Sequence, residues 1–309
     1  METTDFGKTG LKITRLGLGL AEISRQERSK IVAEADRVLN AALDGGINFL
    51  DTAACYGRTE EIIGATVAHR REEYILATKC GHTTDDGDRG TPWTEHESWT
   101  GPAVSESIDR SLHRLQTDHL DIVQLHSCDV DILEHGEVIE ALVQARDAGK
   151  TRFIGYSGDN AAARWAVDSG LFDTLQTSFN LVEQHARTKG LFEAAEAQGM
   201  GVIIKRPVAN GAWGKAHSPY SYADEYFRRA QIMAGMGPLP QAPEDPILLA
   251  LGFVLAQPEV DTIIVGTHNP SHLSSNIEMV TRQLPISAET VQALHGRFEE
   301  VDDRWLQLT

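Results

Sequence analysis

The chain has 309 residues, 41% hydrophobic and 24% charged, close to globular norms, which excludes wholesale disorder. Its 45 acidic residues against 28 basic ones leave a formal charge of −17, which repels phosphate backbones and anionic lipid headgroups. Nucleic acid and membrane surfaces are therefore poor partners, and a phosphate-bearing ligand has to be caught by local basic side chains or backbone amides.

The first residues, METTDFGKTG, lack a basic region followed by an apolar stretch, so no signal peptide is expected. Cys55, Cys80 and Cys128 lie far apart with no CxxC pair and suggest neither a disulfide framework nor a structural zinc site. The most apolar run, 247–256, is too short to span a bilayer. A soluble protein of the reducing cytoplasm is the expectation.

In chain order, short apolar runs alternate with longer amphipathic segments. Residues 16–20 predict a strand and 29–44 a helix, with Ile31, Ala35, Val38, Leu39 and Ala42 on one face and Asp44-Gly45-Gly46 ending it. A strand over 47–50 leads to a helix from about Thr59, whose side chain is expected to cap the turn carrying Glu60 and Glu61. The same alternation then gives strands over 74–78, 120–125, 153–156, 174–178, 202–204 and 262–265. Helices are expected around 104–115, 137–148, 161–168, 191–198, 246–256 and 271–280.

About eight strand–helix cycles is the number that closes a parallel barrel, and the runs carry little period-2 alternation, as strands buried on both faces should. The competing doubly wound open sheet would want a glycine fingerprint after its first strand. Gly17-Leu18-Gly19-Leu20-Ala21-Glu22 lacks the third glycine and opens no helix directly. The expected fold is one (β/α)₈ TIM barrel domain over 1–309, with an N-terminal β-hairpin around 6–13 and an extra C-terminal helix near 288–306. The stretch 209–245, rich in Gly, Pro and Tyr, is too long for an ordinary connection and is expected to be a functional cover.

Active sites of such barrels lie at the C-terminal strand ends. Asp51 follows the second strand, with Tyr56 a few residues on; Lys79 ends the third, His126 the fourth and Ser157 the fifth. Gln176 lies in the sixth, and Lys205-Arg206-Pro207 ends the seventh. Singly, an Asp here can be a turn cap, a Lys a snorkelling surface group, a His or Tyr rim packing. Four ionisable groups on neighbouring strand ends suggest chemistry instead. A tyrosine beside an ammonium has its pKa lowered, and a carboxylate keeps that ammonium charged and aimed. Such a tyrosine can protonate a developing alkoxide while a histidine holds the carbonyl oxygen, which suits carbonyl reduction by a hydride from a cofactor. The twelve histidines show no metal-ligand spacing, so no metal is expected.

Phe6-Gly-Lys-Thr-Gly-Leu-Lys-Ile-Thr-Arg-Leu-Gly-Leu-Gly, Gly46-Ile-Asn-Phe-Leu-Asp-Thr-Ala, Tyr56-Gly-Arg-Thr-Glu-Glu, Asp109-Arg-Ser-Leu-His-Arg-Leu, Leu120-Asp-Ile-Val-Gln-Leu-His and Gly266-Thr-His-Asn-Pro…Asn276 closely resemble the aldo-keto reductases, in order along nearly the whole chain. The resemblance implies a barrel that binds a nicotinamide cofactor without a Rossmann fold. By position it makes Tyr56 the proton donor, Lys79 and Asp51 the pair that tunes it, and His126 the group that orients the carbonyl. It places Ser157 and Gln176 by the nicotinamide carboxamide, with Gly158 beside them at the cofactor. Gly19, Gly266, Thr267, His272 and Asn276 fall with the rest of the cofactor, and 209–245 becomes the loop folded over it. Trp93 and Trp99, Cys128, Asp129 and part of 209–226 are expected around the substrate.

Three departures from the family pattern stand out. Ser157-Gly158-Asp159 replaces Ser-Asn, so one carboxamide contact is missing or moved. Lys205-Arg206-Pro207 replaces Tyr-Ser-Pro, removing the tyrosine that stacks on the nicotinamide. The Lys205 stem or the Arg206 plane is expected to take that face, or Arg206 to grip the pyrophosphate. After the eighth strand, Gly266-Thr-His-Asn-Pro-Ser-His272 lacks the Lys or Arg that meets a 2′-phosphate. NADP(H) stays ahead on family grounds alone, with NAD(H) its rival. The partner is a small carbonyl or alcohol, and the chain is a monomer or a homo-oligomer. Two other readings remain: a cofactor-sensing regulatory subunit with little turnover, and a Schiff-base lyase using Lys79.

Overall fold

The computed structural model describes residues 1–23, 31–82 and 99–308. Strands β1 (Thr3–Asp5) and β2 (Lys12–Thr14) pair antiparallel as a hairpin. Strands β3 (Leu16–Gly19), β4 (Phe49–Asp51), β5 (Ile75–Cys80), β6 (Leu120–His126), β7 (Thr151–Ser157), β8 (Thr174–Ser178), β9 (Gly201–Lys205) and β10 (Thr262–Gly266) are all parallel. They follow one another around a closed barrel in which β10 pairs with β3, so the expected barrel is the observed fold and the open sheet is excluded.

Alternation along the strands divides the core in two. Phe49, Ile75, Ala77, Ile122 and Ile203 point into the barrel and pack there with Phe6, Leu11 and Ile13 of the hairpin region. Leu50, Leu76, Val123, Leu125, Ile154, Leu175, Val202 and Ile204 point outward into the larger core beneath the helices. Two residues beyond the inward Phe49, Ala77 and Ile203 stand Asp51, Lys79 and Lys205, so the same period carries polar side chains to the barrel mouth.

Six strands outrun the predicted apolar segments. β4 ends on Asp51 and β10 on Gly266. β5 continues through Lys79 to Cys80, β6 includes His126, β7 includes Ser157 and β9 includes Lys205. The ladder registers Lys79↔Gln124, His126↔Ser157 and Ser178↔Lys205 show why. Pairing depends on backbone N–H and C=O groups, which are indifferent to where the apolar side chains stop.

The hairpin is longer than expected, its strands flanking the turn through Phe6 and Leu11. Phe6 is fully buried, 6.3 Å from the Phe49 ring, and closes the barrel floor. A Cβ on Gly201 would come within 2.5 Å of Phe6, so glycine there makes room for the plug. The first helix, Ile31–Asp44, buries Ala35, Val38, Leu39 and Ala42 as predicted, and Gly46 takes a φ of +83° to return the chain to β4.

Thr59 does not cap the helix Thr59–Val67. Its hydroxyl donates to the Tyr56 carbonyl at 2.7 Å instead, so it ties the helix to the loop ahead of it. The long 209–245 segment contains a helix of its own, Asp224–Ala234. The terminal helix, Ala288–Glu299, stops earlier than expected, and a short turn brings Trp305 against Phe298 at 5.7 Å. Among the described residues, no helix is long and apolar enough to cross a membrane.

Candidate active site

Lys79 lies at the bottom of the barrel mouth with its side chain 1% exposed. Its ammonium donates to both Asp51 carboxylate oxygens, at 2.8 and 2.7 Å, and to the Thr52 carbonyl at 2.8 Å. A buried ion is tolerated only with such complete pairing. Burial pulls the ammonium's pKa down, but Asp51 and Tyr56 push harder and hold it above the usual lysine value.

Tyr56 comes from the loop after β4, and its backbone is held at both ends. Its N–H donates to the Ala53 carbonyl and its own carbonyl accepts from the Thr59 backbone and hydroxyl. The ring stands 5.2 Å from the Lys79 nitrogen and meets His126 edge-on at 5.8 Å. The four residues expected to form the chemical centre are thus brought together.

One electrostatic expectation is reversed. Burial outweighs the pull of Lys79, so the Tyr56 hydroxyl has its pKa raised rather than lowered and stays protonated across the neutral range. His126 is moved the other way: burial, and then the cost of adding a positive charge near Lys79, His82, Lys205 and Arg206, hold it well below the usual histidine value. The site at neutral pH therefore contains a phenol, a neutral imidazole and a neutralised Lys–Asp pair.

Ser157 and Gln176 adjoin this centre through Asp51. The Ser157 hydroxyl donates to Gln176 Oε1 at 2.7 Å, and Gln176 Nε2 donates to Asp51 Oδ1 at 2.8 Å. Gly158 follows Ser157, and a Cβ there would meet the Tyr156 hydroxyl at 2.5 Å. That hydroxyl donates to the Cys128 carbonyl, so the glycine leaves room for a fixed wall.

Lys205 and Arg206 share a counter-ion that sequence reasoning treated only as a missing contact. Asp159, nearly fully buried, lies 2.9 Å from Lys205 Nζ and 3.7 Å from an Arg206 nitrogen. It also accepts from Thr177 Oγ1 and the Ser178 N–H at 2.9 and 2.8 Å. Burial opposes its charge, yet Lys205 and Arg206 hold its carboxyl below the usual aspartate value. The signal available beforehand was the pairing of an acid after one strand with a lysine ending another. Arg206, at a φ of +58°, donates to Ser178 Oγ at 2.7 Å and to the Tyr222 hydroxyl, and stacks over the Tyr222 ring at 5.5 Å.

Ser127, Cys128, Asp129, Tyr156, Lys205 and Tyr222 are among the walls of a cleft of about 560 Å³ at this end of the barrel. Of the residues expected around the substrate, Cys128, Asp129 and Tyr222 of the 209–226 segment line this cleft. Trp99 packs 5.3 Å from His82, whose ring is 4.7 Å from His126. Trp93 lies outside the described residues.

Across the mouth, Gly19 and Gly266 are partners in the β3–β10 ladder. The chain then passes Thr267 into the helix Pro270–Glu278, capped by Asn269, whose side chain accepts from the Ser271 N–H at 2.9 Å. His272 is exposed in its first turn and Asn276 is buried further along. Carboxamide and hydroxyl donors at one side of the mouth, and a glycine-lined rim leading to a helix N-terminus at the other, fit a dinucleotide's amide and phosphate ends. Among the described residues, no group of three or more His, Cys, Asp or Glu is placed to hold a metal.

A parallel eight-stranded barrel with Asp, Tyr, Lys and His converging at its mouth defines a class of oxidoreductase scaffold. The aldo/keto reductase family model matches residues 15–296, and the chain belongs to that family, whose members use a nicotinamide cofactor. The uncharacterised oxidoreductase YqkF of Bacillus subtilis is 28% identical, covering 97% of each chain. The L-galactose dehydrogenase of Arabidopsis thaliana is 27% identical over 97% of this chain and 95% of its own. The holo form of aldo-keto reductase AKR11C1 from Bacillus halodurans superposes with a TM-score of 0.79 at 26% identity, covering 96% of each chain.

Proposed function

We propose that the protein reduces an aldehyde or ketone to an alcohol, or runs the reverse reaction, with Tyr56 as proton donor. The observation carrying this reading is the buried Asp51–Lys79 pair set beneath Tyr56 beside a neutral His126. A nicotinamide bound at the mouth supplies the hydride. Tyr56, protonated at neutral pH, gives its hydroxyl proton to the carbonyl oxygen as charge develops there. Lys79, kept cationic by Asp51, stabilises the phenolate left behind, and His126 fixes the oxygen between the two.

Ser157 and Gln176 are the residues to meet the carboxamide, and Gly19, Gly158, Gly266, Thr267, His272 and Asn276 to line the remainder of the cofactor. Lys205 and Arg206 stand where a stacking aromatic is absent and offer a stem and a guanidinium plane to the nicotinamide or its pyrophosphate. NADP(H) is the cofactor on family grounds. NAD(H) is the rival, because a single exposed histidine, His272, is a weak clamp for a 2′-phosphate beside a bidentate arginine. The polar cleft walls Ser127, Asp129 and Lys205 suit a hydroxylated substrate, in keeping with the plant relative named for L-galactose.

The test is NADPH and NADH oxidation, run in parallel, with 4-nitrobenzaldehyde and a set of aldoses, beside the reverse reaction. Turnover that disappears in Tyr56→Phe upholds the proposal, and near wild-type turnover in that variant overturns it. Tight cofactor binding with no turnover on any of these carbonyls would favour the cofactor-sensing role instead.

A further inference from the structure

Cys55 lies beside Tyr56 and takes no part in the chemistry described above. Its sulfur is 3.3 Å from His126 Nδ1, well within the reach of a hydrogen bond to sulfur. We infer that Cys55 is a positioning residue: its thiol donates to His126 Nδ1 and so keeps the single imidazole proton on Nε2.

A neutral imidazole has one N–H and one acceptor nitrogen, and its partner decides which is which. His126 is neutral here, because burial and then the neighbouring groups, above all the Lys79 ammonium, oppose its protonation. Cys55 is a thiol rather than a thiolate: burial pushes it up to about 12, against the opposing pull of Lys79. One proton each must therefore be shared out between a sulfur and an imidazole nitrogen. Sulfur is a weak acceptor, whereas an imidazole nitrogen is a strong one, so the S–H···Nδ1 arrangement is the better bond. Nε2–H is then left to donate to a substrate oxygen.

The functional consequence rests on the reading of His126 as the group facing the carbonyl, whereas the tautomer can be read without any turnover. Among the described residues, the groups facing His126 are Cys55, Tyr56, Lys79, His82, Lys205 and Arg206. None of them supplies an anion that would instead hold a proton on Nδ1.

The experiment is a long-range ¹H–¹⁵N correlation spectrum of imidazole-labelled protein at neutral pH, with His126 assigned by its loss in His126→Asn. The expected wild-type pattern is a protonated Nε2 and an acceptor Nδ1, retained in Cys55→Ser. In Cys55→Ala the two nitrogen shifts should approach each other as the tautomers mix. A wild-type Nδ1–H, or nitrogen shifts unchanged in Cys55→Ala, would overturn the inference. In parallel, Cys55→Ala should lower kcat on the order of 2- to 12-fold, the worth of one hydrogen bond, with cofactor Kd unchanged and Cys55→Ser restoring the rate. A wild-type protein without turnover would count against the reductase reading, while the nitrogen shifts would still decide the tautomer.

Discussion

The buried Lys79 ammonium is the residue on which the mouth of the barrel depends. Its three hydrogen bonds end on Asp51 and Thr52, and Asp51 also anchors Gln176 and, through it, Ser157. Removing the carboxylate leaves an uncompensated charge in a dry site. Asp51→Ala should therefore cost about 3–5 kcal/mol of stability, read from urea unfolding, and should loosen cofactor binding through Gln176. Tyr56→Phe has the opposite profile. It deletes a hydroxyl that makes no hydrogen bond among the described residues, so the fold should keep its Tm while kcat falls by about 10²–10⁴-fold. A Tyr56→Phe protein that lost stability as well would show that the phenol has a structural duty.

At the scale of elements, the barrel is closed below by a plug and held together outside by close helix contacts. Phe6 carries the plug, fully buried against Phe49 and Gly201. Phe6→Ala should cost about 3–5 kcal/mol, because a hole at the floor cannot collapse against a rigid barrel. Helices Thr59–Val67 and Gly101–Leu115 approach so closely that a Cβ on Gly64 would come within 2.2 Å of the Arg114 carbonyl. Gly64→Ala should push the first of these outward and shift the Tyr56 loop tied to it by Thr59. The expected result is a lower kcat together with a lower Tm, which separates it from Tyr56→Phe.

The C-terminal tail is fixed by a different device. Arg229, 1% exposed, bonds Glu183 at 2.9 Å and the Leu306 carbonyl, and lies 4.7 Å over the Trp305 ring. Glu183 accepts in addition from His185 Nδ1 and the Leu308 N–H. Arg229→Ala should release residues 305–308 to proteolysis before the barrel unfolds, detectable by limited digestion and mass spectrometry.

Over the whole molecule, two half-buried histidines and a carboxylate contribute opposing responses to acid. Burial lowers His82 and His295 to about 4, against about 6.5 in the unfolded chain. The unfolded state then binds more protons between those values, so this stability is complete above pH 6.5 and is lost as pH falls toward 4. Asp261 opposes them: burial raises it to about 6, so the folded chain binds the extra proton and gains stability as pH falls through that range. His295→Gln should flatten the Tm decline between pH 6.5 and 4, and Asp261→Asn should steepen it. Thermal melts across that range check both signs.

Eight apolar runs, the Gly45-Gly46 stop and the buried face of the first helix were legible in the sequence, because hydrophobic period and glycine conformation act within a few residues. So were Asp51, Tyr56, Lys79 and His126, since each stands at or just past an apolar run and a parallel barrel gathers those positions at one rim. Local pattern could not disclose what depends on contacts between distant segments. The strands run past their apolar portions because backbone pairing ignores side-chain type, and Thr59 bonds the Tyr56 carbonyl instead of capping its own helix. The Asp159 counter-ion to Lys205 and Arg206, and the Cys55–His126 contact, join residues 46 and 71 positions apart. The raised pKa of Tyr56 was decided by burial, a property of the assembled mouth that no neighbouring residue in the chain encodes.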